Sequence, residues 1–378
     1  MRICILQHVF DPFKGANHLP LYRANADCQF TIVCRASKVA ESDLPSNVNI
    51  VTVPGRIGPY YYGVRDYLFA KLLLKRYPIS DSFWNSFDVI HLNQIMGPSL
   101  KKLTKLKAPL LITIHHPVTA DLEVSVQESG VLAALHWRLK YFLLVRWQRA
   151  MCRCCDKVIT VSNTVRDRLI AEYKLNSASI TIVPNGVDGD VFTVGSGVNE
   201  YDVVAMGSFI HPRKGFPYLL KVYQAFSDAG LHIADIGRRS DTQRAQLMKI
   251  EGVTVVGTIP GAELIEVLQQ SSVLISVSLY EGFGLSLIEA LSCGKPAFAF
   301  GGGAVQEVLD PIDPNFTVPL RDINELTKRV QVFLALSVEE KRTLADQYRK
   351  EVLVRYSIER SAQEMISVYK QITSSPPL

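Results

Sequence analysis

At 378 residues, with 48% hydrophobic and 20% charged side chains, the chain is long enough for two ordinary domains that each bury a core, and its balance excludes a disordered polypeptide. The net charge of +5 divides unevenly, because residues 1–185 carry 23 Lys/Arg against 13 Asp/Glu and the remainder 18 against 23. A basic first half fits an anionic partner such as a membrane surface, a nucleic acid or a phosphorylated substrate, and fits equally an uneven share of ordinary surface charge.

In chain order, the short apolar run Ile3–Leu6 reads as a buried strand, followed by a loop at Asp11–Gly15. Further buried strands are expected at Phe30–Cys34, Asn49–Val53, Asp88–His91, Leu110–Ile114, Lys157–Val161 and Ile180–Val183, with a long helix over Val131–Cys155. Pro184-Asn185-Gly186-Val187-Asp188 is a strong loop signal, and Gly195, Ser196 and Gly197 follow it. The alternation then restarts, with strands at Asp202–Met206, His232–Ile236, Val253–Val256, Val273–Val277 and Pro296–Phe300. Helices fit at Pro217–Ala229, Gly261–Gln270 and Leu285–Ser292, and Ser357–Thr373 reads as a closing amphipathic helix. Continuous apolar strands alternating with helices predict parallel sheets covered on both faces, hence an α/β chain of two Rossmann-like domains facing a central cleft. The expected divisions are residues 1–188, 189–356 and a terminal helix 357–378 returning to the first domain. Ligands of such sheets sit at the carboxyl ends of the strands.

No run of 18 or more apolar residues is present, so no segment is expected to span a bilayer, and the opening apolar run is too short for a signal peptide. Cys152, Cys154 and Cys155 cluster without a second cluster or a neighbouring His. Reduced thiols in a cytoplasmic protein fit them better than a zinc set.

The most informative stretch runs from Ser278 to Ala290. A strand ends near Ser278, a loop with Gly282 and Gly284 follows, and a helix opens at Leu285. Glycines let the backbone approach a ligand, and the amides of a helix start favour anionic oxygens, which suits a diphosphate. Glu281 lies in the loop, and Glu289 roughly 7–8 Å along the helix at 1.5 Å per residue. Two carboxylates so spaced suit the hydroxyls at opposite ends of one extended ligand, since ionised carboxylates accept and hydroxyls donate. Spacing alone fits an ordinary exposed loop and helix glutamate equally well.

Glu281…Glu289 with Gly282-Phe283-Gly284 between them resembles the EX7E signature of the family 4 retaining glycosyltransferases, which have the GT-B fold. Val183–Asp188 with Phe192 resembles the inter-domain PNGVD…F stretch of that family, Val161-Ser162 its VS pair, and Ala290–Pro296 its A-x-x-x-G-x-P continuation. These motifs span most of the chain in the family order. The resemblance implies that Glu281 contacts the donor sugar, that Glu289 binds the ribose hydroxyls, and that the backbone of Gly282, Phe283, Gly284 and Leu285 lines the sugar and diphosphate. Lys214, in Gly207–Gly215, matches the lysine that supplies a cation to the diphosphate, where positive charge offsets the negative charge of the leaving group. Ser208 stands where many relatives have arginine; Arg213 either replaces that arginine, with a bidentate fork, or faces solvent.

His115 and His116 follow the strand Leu110–Ile114. The resemblance places the active-site histidine on His115, and His116 stands where many relatives have Asp, which leaves open which ring faces the sugar. Lys14-Gly15-Ala16-Asn17 resembles the glycine-rich loop of the family with one glycine replaced by Ala16, and Gly15 is expected near the diphosphate or acceptor. His91, Asn93 and Glu307 are further candidates for the cleft or the acceptor. Asp188-Gly189-Asp190 has the form of a metal-binding Asp-x-Asp but lies inside the inter-domain motif and reads as a turn, so no metal is expected. Gly301-Gly302-Gly303 after a strand is weak evidence alone, although the family also has a glycine pair there.

The implied reaction is hexosyl transfer from a nucleotide diphosphate sugar, UDP-sugar favoured, to a hydroxyl acceptor such as a lipid-linked or cell-envelope glycan, with no further cofactor. The family resemblance implies a front-face substitution; the motifs supply no clear nucleophile for a double displacement. Aromatic and basic side chains mix along Val131–Cys155 (Trp137, Arg138, Lys140, Tyr141, Arg146, Trp147), and Lys101, Lys102, Lys105 and Lys107 lie nearby. They fit either peripheral docking at the inner face of a membrane or a buried helix with a solvated basic edge. No nucleic-acid partner is expected. A sugar-nucleotide epimerase and a non-catalytic scaffold of the same fold are the competing functions.

Overall fold

A computed structural model describes residues 1–11, 22, 27–55, 63–195 and 199–374. The chain divides into two compact units, Met1–Gly186 together with Ile358–Leu378, and Val187–Ser357.

The first unit holds β1 (Arg2–Leu6), β2 (Val9–Phe10), β3 (Gln29–Cys34), β4 (Ala36–Ser37), β5 (Val48–Thr52), β6 (Val89–Asn93), β7 (Leu110–Ile114), β8 (Lys157–Thr160) and β9 (Ile180–Ile182). Its helices are α1 (Val64–Arg76), α2 (Val118–Gln127), α3 (Val131–Cys154) and α4 (Asn163–Tyr173). Seven strands form one sheet in the order β5-β3-β1-β6-β7-β8-β9, and each neighbouring pair is parallel. Both faces are buried, as an all-parallel sheet requires. Cys4, Leu6, Ile90, Leu92 and Ile112 enter one core; Ile3, Ile5, Val89 and Leu111 enter the other, against Ile358, Ala362, Ile366 and Tyr369.

The second unit holds β10 (Tyr201–Met206), β11 (Ile233–Ile236), β12 (Val253–Gly257), β13 (Ser271–Ser276), β14 (Ala297–Phe300) and β15 (Thr317–Val318). Between and after them run α5 (Phe216–Asp228), α6 (Asp241–Leu247), α7 (Gly261–Gln269), α8 (Leu285–Ser292), α9 (Val305–Leu309), α10 (Ile323–Leu334) and α11 (Val338–Tyr356). The sheet order β12-β11-β10-β13-β14-β15 is that of a doubly wound sheet. The chain then returns to the first unit as α12 (Ile358–Ser374), which covers one of that unit's cores.

Three expected boundaries shift for local reasons. β6 continues to Asn93, because Asn93 pairs with Thr113 of β7. β8 ends at Thr160, and Ser162 turns out of the strand to cap α4 by accepting from the Val165 amide. β13 begins at Ser271, a fully buried serine paired with Tyr201.

Candidate active site

In the second unit the strand order reverses between β10 and β13, and ligands of such sheets collect at that switch point. The segment after β10 ends in a short 3-10 turn, Pro212–Lys214, whose N-cap His211 accepts from the Arg213 amide at 3.3 Å. Gly215 closes the turn at φ +72°, and a Cβ there would sit 2.2 Å from the Val277 carbonyl oxygen, so only glycine lets the turn lie against the end of β13. The Leu279 amide donates to the Arg213 carbonyl at 2.7 Å and fixes the contact.

Both cations of this turn therefore meet Glu281. Lys214 Nζ donates to Glu281 Oε1. Arg213 Nη1 lies 3.3 Å from Oε2 and 3.1 Å from the Tyr280 carbonyl oxygen. Arg213 thus does not face solvent. Burial alone would raise the Glu281 pKa, but the Lys214 and Arg213 charges outweigh it and hold the carboxyl at about 2.

A second clamp comes from the glycine triplet after β14. The Glu281 amide donates to the Gly302 carbonyl (3.2 Å), and the Ala304 amide donates to the Glu281 carbonyl (2.8 Å). Gly303, at φ +69°, would place a Cβ 2.2 Å from the Glu281 carbonyl oxygen. The loop then passes Gly282 and the buried Phe283, which meets Tyr356 edge to face at 5.4 Å, and enters α8 through Gly284 in a left-handed conformation without a side-chain cap. The first amides of α8 from Leu285 on point into this loop, as helix geometry requires. Glu289 follows on α8, partly exposed and with no side-chain partner among the described residues. Burial raises its carboxyl to about 7.

A support the sequence reading missed stands beneath the β10 loop. Arg239 and Asp235 form a buried pair at 2.6 Å; Tyr223 donates to Asp235 at 2.9 Å. Arg239 also donates to the Gly207 carbonyl at 2.6 Å and lies 4.4 Å from the Phe209 ring. Nothing in the spacing of Asp235 and Arg239 separates such a brace from an ordinary surface pair.

In the first unit, the strand ends of β6 and β7 bring together His91, Asn93, Thr113 and His115 around a cavity of about 40 Å³ that Tyr22, Asn185 and Tyr369 also line. His115 Nε2 is 2.8 Å from Asn93 Oδ1, and Asn93 Nδ2 donates to Gln7 at 3.3 Å. Since Asn93 Oδ1 can only accept, Nε2 of His115 carries the proton in this arrangement. The His115 amide donates to Gln94 Oε1 at 2.9 Å, and Gln94 adopts φ +51° at the end of β6 to reach it. His91 is buried with Nδ1 at 2.6 Å from Tyr369 Oη and Nε2 at 2.6 Å from Thr113 Oγ1. Burial lowers its pKa to about 3, which keeps the ring neutral. Its ring nitrogens hold protein groups, so it organises the cavity wall. His116 does not join the cavity: its Nε2 lies 3.1 Å from Asp121 Oδ2.

Gly15 and its loop lie outside the described residues. Glu307 sits partly buried in the first turn of α9. Asp188 Oδ1 accepts the Asp190 amide at 2.9 Å, so Asp188-Gly189-Asp190 is a turn. Among the described residues no three His, Cys, Asp or Glu side chains converge as a metal set. All seven cysteines are free thiols.

Two parallel doubly wound sheets, with a carboxylate and two cations at the switch point of the second, define the GT-B class of sugar-transferring folds. The comparisons with known proteins agree. The profile described as Glycosyltransferase Family 4 matches residues 22–191, and that described as Glycosyl transferases group 1 matches residues 200–335. The chain belongs to the family 4 glycosyltransferases and is an enzyme of that type. Among its relatives is the MMP alpha-(1->4)-mannosyltransferase of Mycolicibacterium hassiacum, 29% identical over 75% of this chain and 71% of that protein. Another is the phosphatidyl-myo-inositol mannosyltransferase of Mycobacterium leprae, 26% identical over 76% and 75%. The fold matches sucrose-phosphate synthase from Thermosynechococcus elongatus with a TM-score of 0.76 at 20% identity, over 99% of this chain and 100% of that one. It also matches Anabaena HepE in complex with UDP and glucose, with a TM-score of 0.69 at 16% identity over 99% of both chains.

Proposed function

We propose that the chain moves a hexosyl group from a UDP-sugar to a hydroxyl of a lipid-linked or cell-envelope glycan, with retention of anomeric configuration and without a metal ion. The observation that carries this reading is the meeting of Lys214, Arg213 and Glu281 at the switch point of the second unit, with Glu289 on the helix that follows. Relatives named as mannosyltransferases support a hexose, and one of them carries phosphatidyl-myo-inositol in its name, which supports a lipid-linked acceptor. The HepE complex with UDP supports the uridine nucleotide.

In this reading Lys214 and Arg213 bind the diphosphate, the first amides of α8 add partial positive charge, and Glu289 accepts hydrogen bonds from the ribose hydroxyls. The bond from the anomeric carbon to the diphosphate oxygen breaks while the acceptor oxygen bonds to the same face of that carbon. The acceptor proton passes to the departing phosphate oxygen. Charge stabilisation by the two cations and positioning of the sugar by Glu281 then provide the catalysis, and His115 of the first unit is the further catalytic residue that the family resemblance implies. Side-chain cations at the diphosphate are what make a metal unnecessary. The site is proposed to work at the inner face of a membrane, with the protein peripherally attached.

Proton NMR of slow UDP-sugar hydrolysis by the purified protein, with chelator added, tests the reading. The expected result is a first-formed sugar of unchanged configuration and unaffected rate. An inverted product or loss of activity with chelator would remove the corresponding part.

A further inference from the structure

Among the described residues, six of the fifteen exposed large apolar side chains lie on one element. Val131 (87% exposed), Leu132 (86%) and Leu139 (71%) stand out, with Leu135, Phe142 and Leu143 also exposed, all within the first thirteen residues of α3. At 3.6 residues per turn they occupy one side of the helix. Opposite them Ala134, Tyr141, Gln148, Met151 and Cys152 are buried. Continuing along the same outward side, the second half of α3 changes character and presents the exposed Arg146, Arg149 and Arg153. Residues 131–154 contain no Asp or Glu. The 3-10 helix Pro98–Lys105, which packs on α3, adds the exposed Lys101, Lys102 and Lys105.

We propose that this outward face of α3 docks on a bilayer containing anionic lipid, its first half entering the acyl boundary and its second half lying on the phosphates. The proposal deepens the peripheral-membrane part of the reading above by naming the surface and the lipid charge. It follows from the two-part face. A bilayer interface offers hydrocarbon and anionic oxygens a few ångströms apart, and an amphipathic helix with cationic residues satisfies both. A second copy of the chain does not. An isologous pair running antiparallel along its full length would set the apolar half on the arginine half, a parallel pair would set arginines on arginines, and a staggered pair joined through the apolar halves would leave the arginine half unused. Of the acidic side chains on α2, Glu123 is paired with Arg168 and Asp121 with His116.

The inner side of the same helix ties the surface to the candidate site. Gln148 is fully buried; its Oε1 accepts from the Val118 amide (2.9 Å) and from Tyr173 Oη (2.5 Å), and its Nε2 donates to the His116 carbonyl (3.4 Å). The helix that meets lipid thus also anchors the segment carrying His115 and His116.

The test is sedimentation of the full chain with vesicles of roughly one-third phosphatidylglycerol in phosphatidylcholine, against phosphatidylcholine alone. The variants are Leu132→Asn/Leu139→Asn/Phe142→Asn and Arg146→Ser/Arg149→Ser, with unfolding temperature as the check on folding. The expected result is binding to the anionic vesicles that weakens with salt and falls about tenfold or more in each variant. Failure of the wild type to bind anionic vesicles, binding that survives the triple substitution, or a dimer that the triple substitution dissolves would each overturn it. Nucleotide binding measured on the same samples separates the two readings: vesicle binding without nucleotide binding sinks the transfer reading alone, and the converse sinks this one alone.

Discussion

Lys214 and Glu281 are ion-paired across 67 residues of sequence, and Arg213 holds the other oxygen of the same carboxylate at 3.3 Å. In the transfer reading the diphosphate and Glu281 therefore compete for the same two cations. A nucleoside diphosphate that takes them frees Glu281 to accept the sugar hydroxyls. Glu281→Gln should leave UDP affinity unchanged or tighter, because it removes the competitor, while lowering turnover by about 10²-fold. Calorimetry with UDP beside steady-state rates checks both; weakened UDP binding would contradict the competition.

Lys214→Ala should behave oppositely, with UDP affinity and turnover falling together. The expected loss in turnover is about 10²–10³-fold, the range for removing one group from a preorganised charge site. Rates at saturating donor decide it, and a change in KM alone would show that Lys214 binds the ground and transition states equally.

In the same reading Glu289 should give the site a pH dependence. Its carboxyl is raised by burial to about 7, and ribose hydroxyls donate best to the ionised form. Donor affinity should accordingly rise with pH up to about 7 and level off above it. In Glu289→Gln the profile should flatten at the weaker limit. The same raised pKa means that protonation of Glu289 favours the folded state below the ordinary carboxylate range and that this contribution is lost as pH rises through about 7. Titrations of UDP at several pH values measure the first effect.

Much of this was legible beforehand, and the reasons differ by element. The continuous apolar strands could be placed because burial on both faces leaves an uninterrupted run, as in Leu110–Ile114. α11 was not placed, because of its nineteen residues only Tyr348 and Val352 are buried and its periodicity is faint, although its capping box at Ser337 and Glu340 was readable. Glu281 and Lys214 were visible as a motif, but their pairing depends on Gly215 and Gly303 approaching other backbones, which no local pattern encodes. The resemblance placed the active-site histidine on His115 but left open which ring faces the sugar; Asn93 and Asp121, each distant or weakly patterned, turn the rings apart.

That separation predicts unequal mutants. His115→Ala should lower turnover by about 10²-fold or more, whereas His116→Ala should act mainly through stability, by leaving Asp121 without its ring partner. Comparing kcat with unfolding midpoints for the two variants distinguishes the effects.

Gly303→Ala should destabilise the second unit by about 1–3 kcal/mol, since φ is positive and the added Cβ meets the Glu281 carbonyl. Denaturant unfolding measures it, and a neutral change would show that the glycine triplet does not hold the Glu281 loop.

Lys214, Arg213, Glu281 and Glu289 are proposed to form a nucleotide-sugar site. This is tested most directly by titration calorimetry of the wild type and Glu289→Ala with UDP, GDP and ADP. Saturable binding is expected, with UDP preferred, weakened about tenfold or more by the substitution. No binding of any of the three to well-folded wild type would contradict it.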